Sequence, residues 1–243
     1  MMRAALAAEW IKLRSTRSPY ACLVSVAVVT LGLAAAVGVV FAEAGEPPPR
    51  DRILAGLLGY GLVIFMAMAG LGASGEYGTG TIGVTFVVLP GRVQVVAAKA
   101  VVFAVVCAAT TAVLTPLALL TGAAAAGTSV DWSGSARLLW GAPLIGAITA
   151  VIAVAVGFLL RRTAAVVTTV IIWPLLIEGL TTLVPRVGGR LATLLPFANA
   201  HLFLGDSQGL TFLWGPVAAL AWFTGFAVLL LGLAMGSVHA RDV

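Results

Sequence analysis

Charged residues are confined to short segments of this chain, and long windows between those segments carry none. Asp, Glu, Lys and Arg are absent from 20–42, 53–75, 100–130, 138–160 and 207–240, and only Glu178 interrupts 163–185. A helix needs roughly 20 apolar residues to cross a bilayer, and each window can supply them. Only 9% of the residues are charged, against about 25% in soluble domains. The sequence therefore predicts an all-α polytopic membrane protein.

Six transmembrane helices are expected, and the Lys and Arg residues between them predict their orientation. The expected spans are 20–42, 53–73, 95–120, 138–160, 164–184 and 213–236. Lys and Arg concentrate in cytosolic loops. With the N-terminus inside, the cytosolic segments carry Arg3, Lys12, Arg14, Arg17, Arg92, Lys99, Arg161, Arg162 and Arg241. The other side carries Arg50, Arg52, Arg137, Arg186 and Arg190. Both termini are therefore expected in the cytosol. The net charge of +5 follows from the same bias and does not indicate nucleic-acid binding.

Two segments outside the spans have enough apolar residues to be structured. Residues 1–19 predict an interfacial helix, with Leu6, Trp10 and Leu13 on one side and a Glu9–Lys12 pair at i, i+3. Residues 185–212 are too apolar for a free loop and too interrupted for a span. Irregular backbone at membrane depth must be buried in protein or line a cavity. This second segment therefore predicts re-entrant or interfacial half-helices on the outer side.

The segment 74–94, between the second and third spans, and the residues just before it contain glycine patterns that resemble nucleotide-binding and catalytic motifs. Gly78, Gly80 and Gly83 match G-x-G-x-x-G, but that dinucleotide fingerprint requires a βαβ unit, for which there is no room. Gly72-Ala-Ser74-Gly75 resembles the nucleophile motif of rhomboid intramembrane proteases. An activated serine needs a histidine within hydrogen-bond reach.

The remaining signals for catalysis or metal binding are weak. The chain has only two histidines, His201 and His239, and the rhomboid histidine and glycine spacings are missing. No phosphate-binding G-x-x-x-x-G-K-[ST] loop and no metal-ligand spacing occurs in the sequence. We therefore expect no catalytic residue, metal or cofactor on this chain, and no enzyme activity of its own.

Glu178 is the one carboxylate well inside a charge-poor window. Intramembrane acids are costly and usually face a cavity or a partner. With Thr181 and Thr182 one turn further on, Glu178 is a candidate for a translocation path. The alternative is that it lies near the outer end of a tilted helix and reaches the interface. Both interpretations stay open at this point.

Two motifs resemble those of a known transporter family. Ala8-Glu9-Trp10-Ile-Lys12-Leu13-Arg14-Ser-Thr-Arg17 resembles the opening of many actinobacterial ABC transporter permeases of the ABC-2 superfamily. The pattern Glu76…Gly80-Thr81…Leu89-Pro90…Arg92…Lys99 resembles that family's element between the second and third spans. Six spans and an interrupted outer segment before the sixth also agree with the family.

The resemblance implies a partner and assigns roles to residues. Glu76 to about Val84 would form a cytosolic coupling helix that docks on a separate ATPase subunit, and the implied coupling residues are Glu76, Tyr77, Gly80, Thr81, Pro90 and Arg92. The N-terminal helix would be an elbow helix that contacts the same ATPase and the lipid headgroups through Glu9, Trp10, Lys12 and Arg14. ATP and Mg²⁺ would bind only to the ATPase. Two permeases, either identical copies or paralogues, would complete the transporter.

The expected function is export of a hydrophobic or amphipathic substrate, such as a drug, antibiotic, peptide or lipid, across the bacterial cell membrane. A secondary carrier that works without an ATPase is the first alternative. Midplane charges and paired discontinuous helices would indicate such a carrier, and among these the sequence offers only Glu178. A rhomboid-like serine protease that uses Ser74 is the second alternative.

Overall fold

Six long apolar helices make up most of the chain, as the charge-free windows predict. The computed structural model describes residues 2–88, 91–184 and 187–240, and 84% of the protein is helical, with no strand among the described residues. Six helices are long and apolar enough to cross a membrane. In chain order, spans 1 to 6 are Ser18–Ala44, Arg50–Gly78, Arg92–Ala125, Trp132–Leu160, Thr163–Thr181 and Pro216–Ala240. These helices are those of a multi-pass membrane protein.

Among the described residues, four shorter helices flank the spans. An N-terminal helix, Met2–Ser15, packs on span 3, and a connecting helix, Thr81–Val88, lies between spans 2 and 3. Two short helices, Gly188–Ala192 and Pro196–Leu204, precede span 6, where the sequence predicted half-helices. The first two helices lie at one end of the bundle, which we call the N-terminal face. The last two lie at the other end, which we call the opposite face.

Spans 2 and 4 form the centre of the bundle. In their most apolar windows, 72% and 61% of the residues are buried, against 17–22% for spans 1, 5 and 6. Glycine permits the close approach of these two helices, because a Cβ on Gly157 would lie 2.6 Å from the Ala73 Cβ. Span 3 packs against spans 1 and 4, and span 6 packs against span 4. Spans 1, 5 and 6 are therefore left as the lipid-facing periphery.

Two spans contain a π-helical segment. Span 2 is π-helical over Gly56–Gly61, and span 5 is π-helical over Trp173–Ile177. Pro174 lies within the second segment. Pro116 lies inside the helix of span 3. Single π turns inside α-helices often occur at functional sites, so their neighbourhood bears on function.

The end of span 2 differs from the implied coupling helix. The helix of span 2 continues to Gly78, so Glu76 and Tyr77 belong to its last turn, and a separate helix begins only at Thr81. The break falls at Thr79–Gly80 because Gly80 takes a left-handed conformation (φ +70°), which ends a helix at little cost for glycine. The helix that was expected from Glu76 to about Val84 is thus divided between two elements.

Gly232 and Gly236, which have the spacing of a close-contact motif in span 6, make no close helix contact within the described part of the chain. A Cβ on either glycine would meet no atom within 4 Å.

Candidate functional site

Four charged side chains form a closed ring at the N-terminal face. Glu9 and Lys12 come from the N-terminal helix, Glu76 from the last turn of span 2 and Lys99 from the first turns of span 3. The Lys12 Nζ lies 2.7 Å from Glu9 Oε1 and 3.0 Å from Glu76 Oε1. The Lys99 Nζ lies 2.7 Å from Glu76 Oε1 and also binds Glu9 Oε2. Each cation therefore contacts both anions, and we call this set the charged ring.

The charged ring is largely withdrawn from solvent. The side chains of Glu9 and Lys99 are each 3% exposed and that of Glu76 is 12% exposed, whereas Lys12 is 41% exposed. Burying a charge is costly unless it is paired and hydrogen-bonded. Two cations and two anions make the ring neutral, and the ring confirms the Glu9–Lys12 pair that the sequence predicted. The ring fixes the N-terminal helix to spans 2 and 3.

A threonine attaches the connecting helix to the charged ring. The Thr85 hydroxyl donates to Glu76 Oε2 at 3.3 Å. It also accepts from the Lys12 ammonium at 3.4 Å. The N-terminal helix, the connecting helix and span 3 therefore all contact Glu76, which belongs to span 2.

Lys12 stays protonated at neutral pH. Burial disfavours its charge, but the hydrogen bonds and the negative charges of Glu9 and Glu76 outweigh that effect and raise the pKa of Lys12 above its usual value. Lys12, the most exposed residue of the charged ring, therefore carries a positive charge under physiological conditions.

Tyr77, the residue after Glu76, contacts the opposite half of the bundle. Its ring meets Phe158 of span 4 edge to face at a centroid distance of 6.1 Å. The guanidinium of Arg161 lies over the same ring, 5.1 Å from its centroid. Arg161 also donates to the carbonyl of Ser237 in span 6 at 3.4 Å. The adjacent residues Glu76 and Tyr77 thus contact different sets of helices: Glu76 contacts the N-terminal helix and span 3, and Tyr77 contacts span 4.

The turn that follows is solvent-exposed. Residues 78–81 are all exposed, and the Thr79 and Thr81 hydroxyls hydrogen-bond each other at 2.9 Å. Two implied coupling residues, Gly80 and Thr81, therefore lie on an open surface next to the charged ring. Arg92 is the first residue of span 3. Pro90 lies outside the described residues.

The buried face of the N-terminal helix differs from the predicted stripe of Leu6, Trp10 and Leu13. Ala5, Glu9 and Leu13 face the protein, whereas Trp10 is 44% exposed and Arg14 is also exposed. The rotation places the Glu9 carboxylate against Lys99, because an ammonium group buried in span 3 requires an anionic partner.

Glu178 holds the short helix Pro196–Leu204 in place. Its Oε1 accepts from Trp173 Nε1 and the Phe197 N–H, both at 3.1 Å, and its Oε2 accepts from the Ala198 N–H at 2.9 Å. A carboxylate at the first turn of a helix pairs with N–H groups that have no partner inside the helix. Both carboxylate oxygens of Glu178 are therefore occupied.

Thr181 and Thr182, the other candidates for a translocation path, bond within their own helix. Their hydroxyls donate to the carbonyls of Ile177 and Gly179. Thr182 and Glu178 do border a cavity of about 270 Å³.

Ser74, the nucleophile of the protease alternative, is fully buried. Its hydroxyl donates to the Gly70 carbonyl at 2.9 Å. Neither histidine hydrogen-bonds it in the described structure, since His201 lies on the opposite face and His239 is exposed at the end of span 6.

Thr85 and the pairing of Lys99 with Glu9 were not foreseen from the sequence. One signal was available, because Lys99 is a lone charge two turns inside an apolar helix and such a charge requires a partner. The identity of that partner, 90 residues away, could not be read from local sequence.

No protein-family model matches the chain, and no curated protein matches it.

Proposed function

We propose that this chain is the membrane-spanning permease subunit of an ATP-driven exporter of the ABC-2 type. A separate ATPase subunit binds and hydrolyses ATP with Mg²⁺, and a second permease, identical or paralogous, completes the translocation path. The N-terminal face and both termini lie in the cytosol of a bacterial cell. The support is the pair of motifs around Glu9 and Glu76 together with the geometry that joins them.

The observation that carries the proposal is the connectivity at the end of span 2. Glu76 holds the N-terminal helix, the connecting helix and span 3, and Tyr77 holds span 4 and, through Arg161, span 6. Coupling between sites is carried by packed and hydrogen-bonded elements that have two arrangements. A displacement of the exposed turn 78–81 therefore moves elements on both sides of the bundle.

The ATPase contact falls on the exposed turn rather than on the Glu76 carboxylate. Glu76 is mostly covered and holds two ammonium groups, so its contribution to coupling is to keep the turn in place. ATP energy reaches the spans only if the ATPase binds two states of the permease with different affinity. The turn, together with Trp10 and Arg14 on the N-terminal helix, is the surface at which that difference arises.

The cargo that best fits the spans is hydrophobic or amphipathic. Their polar residues are mostly threonines and serines that hydrogen-bond to their own helix carbonyls, such as Thr111 and Thr115. Such spans offer few groups for a strongly hydrated solute. A drug, antibiotic, peptide or lipid belongs to the class that we propose.

Copurification tests the proposal. The tagged chain is purified from cells that also express the proposed ATPase subunit, and ATPase recovery is compared for the wild type, Thr81→Arg and Thr211→Arg. Both threonines are exposed, but only Thr81 lies on the N-terminal face. We expect Thr81→Arg to reduce recovery and ATPase stimulation about tenfold and Thr211→Arg to preserve both. Recovery of no ATPase with the wild type, or equal recovery with both variants, would contradict the proposal.

A further inference from the structure

A large cavity opens on the opposite face, at the other end of the bundle from the charged ring. Its volume is about 1290 Å³, whereas small-molecule sites are roughly 300–1,000 Å³. It lies between the start of span 2, the segment before span 4 and the segment that follows the helix Pro196–Leu204. A cavity of this size accommodates a lipid-sized molecule.

The cavity is apolar at its base and charged at its rim. Its base is formed by the buried leucines of spans 2, 3 and 4, namely Leu54, Leu58, Leu119 and Leu138, and the exposed Leu175 of span 5 also lines it. Its rim carries ionisable side chains from the start of span 2, the start of span 4 and the segment before span 6. This division into an apolar base and a charged rim matches an amphiphile, with its chain toward the membrane interior and its head toward the surface.

Both π-helical segments border this cavity. Leu58, Gly59 and Tyr60 of the segment in span 2 line it, and so does Leu175 of the segment in span 5. A π turn shifts the side chains after it and interrupts regular packing between helices. That both such segments of the described chain meet at one cavity indicates a shaped site rather than a packing defect.

The charged side chains at the rim determine whether the cavity favours a positively or a negatively charged head group. Arg50 pairs with Asp131, Asp51 lies 3.9 Å from Arg52, and the His201 imidazole lies 3.4 Å from the Asp206 carboxylate. The neighbouring imidazole of His201 keeps the pKa of Asp206 below its usual value, so that carboxylate is ionised and already engaged.

Arg137 differs from the other charged groups at the rim. Within the described structure its one hydrogen bond goes to the Phe203 carbonyl at 3.4 Å, and no carboxylate of the described residues lies within ion-pair distance of it. A guanidinium group has five donors in a planar fork that suits phosphate and carboxylate. Arg137 therefore provides an unneutralised cation at the mouth of an apolar cavity.

We propose that this cavity binds one amphiphile with an anionic head, a phosphate or a carboxylate, with the head on Arg137 and the chain against the leucines of the base. The same chemistry is offered by a bilayer phospholipid and by a free single-chain amphiphile. The site belongs to the single chain, so it does not depend on an ATPase partner.

Intact mass spectrometry of the full chain in a neutral maltoside detergent tests whether the cavity prefers an amphiphile with an anionic head group. The protein is titrated separately with dodecyl phosphate, phosphatidylglycerol and dodecyltrimethylammonium. We expect a 1:1 adduct with an anionic probe, about tenfold weaker in Arg137→Gln, because glutamine removes the charge that makes the hydrogen bond to the anionic head strong. Arg190→Gln is the matched control, because Arg190 is exposed on the same face and does not line the cavity.

A second experiment tests whether the hydrocarbon chain of the amphiphile occupies the cavity, by filling that space with a large side chain. Gly59 borders the cavity, and a Cβ there would meet no atom within 4 Å, so Gly59→Phe places a ring in the open space. Gly32→Phe in span 1 is equally unobstructed and lies away from the cavity. We expect Gly59→Phe to abolish the adduct and Gly32→Phe to retain it.

The outcomes separate the two sources of ligand. An adduct with phosphatidylglycerol alone identifies a bilayer lipid, one with dodecyl phosphate alone identifies a free amphiphile, and one with both supports the site for either source. The proposal is overturned if no anionic probe binds, if Arg137→Gln binds as the wild type does, or if the cationic probe binds as tightly as the anionic ones.

Discussion

At the scale of single residues, charges inside this protein are stabilised only by the partners that surround them. The Lys99 ammonium lies two turns inside span 3 and is neutralised by a carboxylate of the N-terminal helix and another of span 2. Glu178 instead relies on backbone N–H groups and an indole N–H. The first arrangement joins elements at the N-terminal face, and the second fixes a short helix at the opposite face. Removing either charge therefore affects elements distant in sequence.

Lys99→Met is expected to destabilise the protein far more than Lys12→Met. Each variant leaves one excess negative charge in the charged ring. Lys12 is 41% exposed, so water can replace its ammonium group, whereas Lys99 is 3% exposed and water cannot replace it without opening the packing. Removing one partner of a buried ion pair costs about 3–5 kcal/mol, and an exposed pair contributes about 0–1 kcal/mol. Thermal unfolding of the purified protein in one detergent measures the difference.

Restoring neutrality provides the control for that experiment. Lys99→Met leaves Glu9 and Glu76 with Lys12 as their one cation, so the ring carries one uncompensated negative charge. Adding Glu9→Gln removes that excess charge, so the double variant should recover part of the lost stability. Equal melting temperatures for Lys99→Met and Lys12→Met, or a double variant less stable than the single one, would contradict the role assigned to the charged ring.

At the scale of helices, close contacts between spans depend on glycine at particular positions. A Cβ on Gly38 of span 1 would lie 2.4 Å from the Gly122 carbonyl oxygen and 2.7 Å from the Ala125 Cβ in span 3. Neither obstacle is the end of a flexible side chain, so the two helices would have to separate. A Cβ on Gly32 in the same span would meet nothing within 4 Å. The two glycines therefore have different roles in one helix.

Gly38→Ala is expected to destabilise the protein by about 1–3 kcal/mol, the usual cost of overpacking. Gly32→Ala should leave stability unchanged or raise it by up to about 1 kcal/mol, because alanine has the higher helix propensity. Thermal unfolding in a common detergent compares the two variants. A Gly38→Ala protein as stable as Gly32→Ala would show that spans 1 and 3 adjust without cost.

The positions of the spans could be predicted from the sequence, but their ends and their contacts could not. Charge-free windows located all six helices, because a bilayer crossing requires a continuous apolar run. The second span was expected at 53–73 and extends over Arg50–Gly78. The helix is longer because the charged residues at its two ends form ion pairs and stay within the helix. Arg50 pairs with Asp131 and Glu76 pairs with two lysines. Those partners lie far along the chain, so a local window cannot reveal them.

The same limit explains what was missed at the candidate site. The resemblance indicated Glu9 and Glu76, but not that both bind Lys99. The depth of Glu178 could not be determined from sequence, and its hydrogen bonds to Phe197 and Ala198 depend on how a distant segment folds back. The π-helical segments carry no sequence pattern of their own. Local composition specifies helices, and tertiary pairing specifies the site.

At the scale of the whole molecule, the proposed function requires the N-terminal face to lie in the cytosol. Nine of the fourteen Lys and Arg residues fall on that side of the predicted topology, which is the bias expected of cytosolic segments. The exposed turn 78–81 must then be accessible to an ATPase, and the large cavity must open outward.

Single cysteines test this orientation in intact cells. The two native cysteines, Cys22 and Cys107, both lie within spans, so a Cys22→Ser, Cys107→Ala background leaves no thiol. Thr81→Cys and Ser207→Cys then each place one exposed thiol, on the N-terminal and the opposite face respectively. We expect a membrane-impermeant maleimide to label Ser207→Cys in intact cells and Thr81→Cys only after lysis. Labelling of Thr81→Cys in intact cells would reverse the orientation and, with it, place the proposed coupling surface where no cytosolic ATPase can reach it.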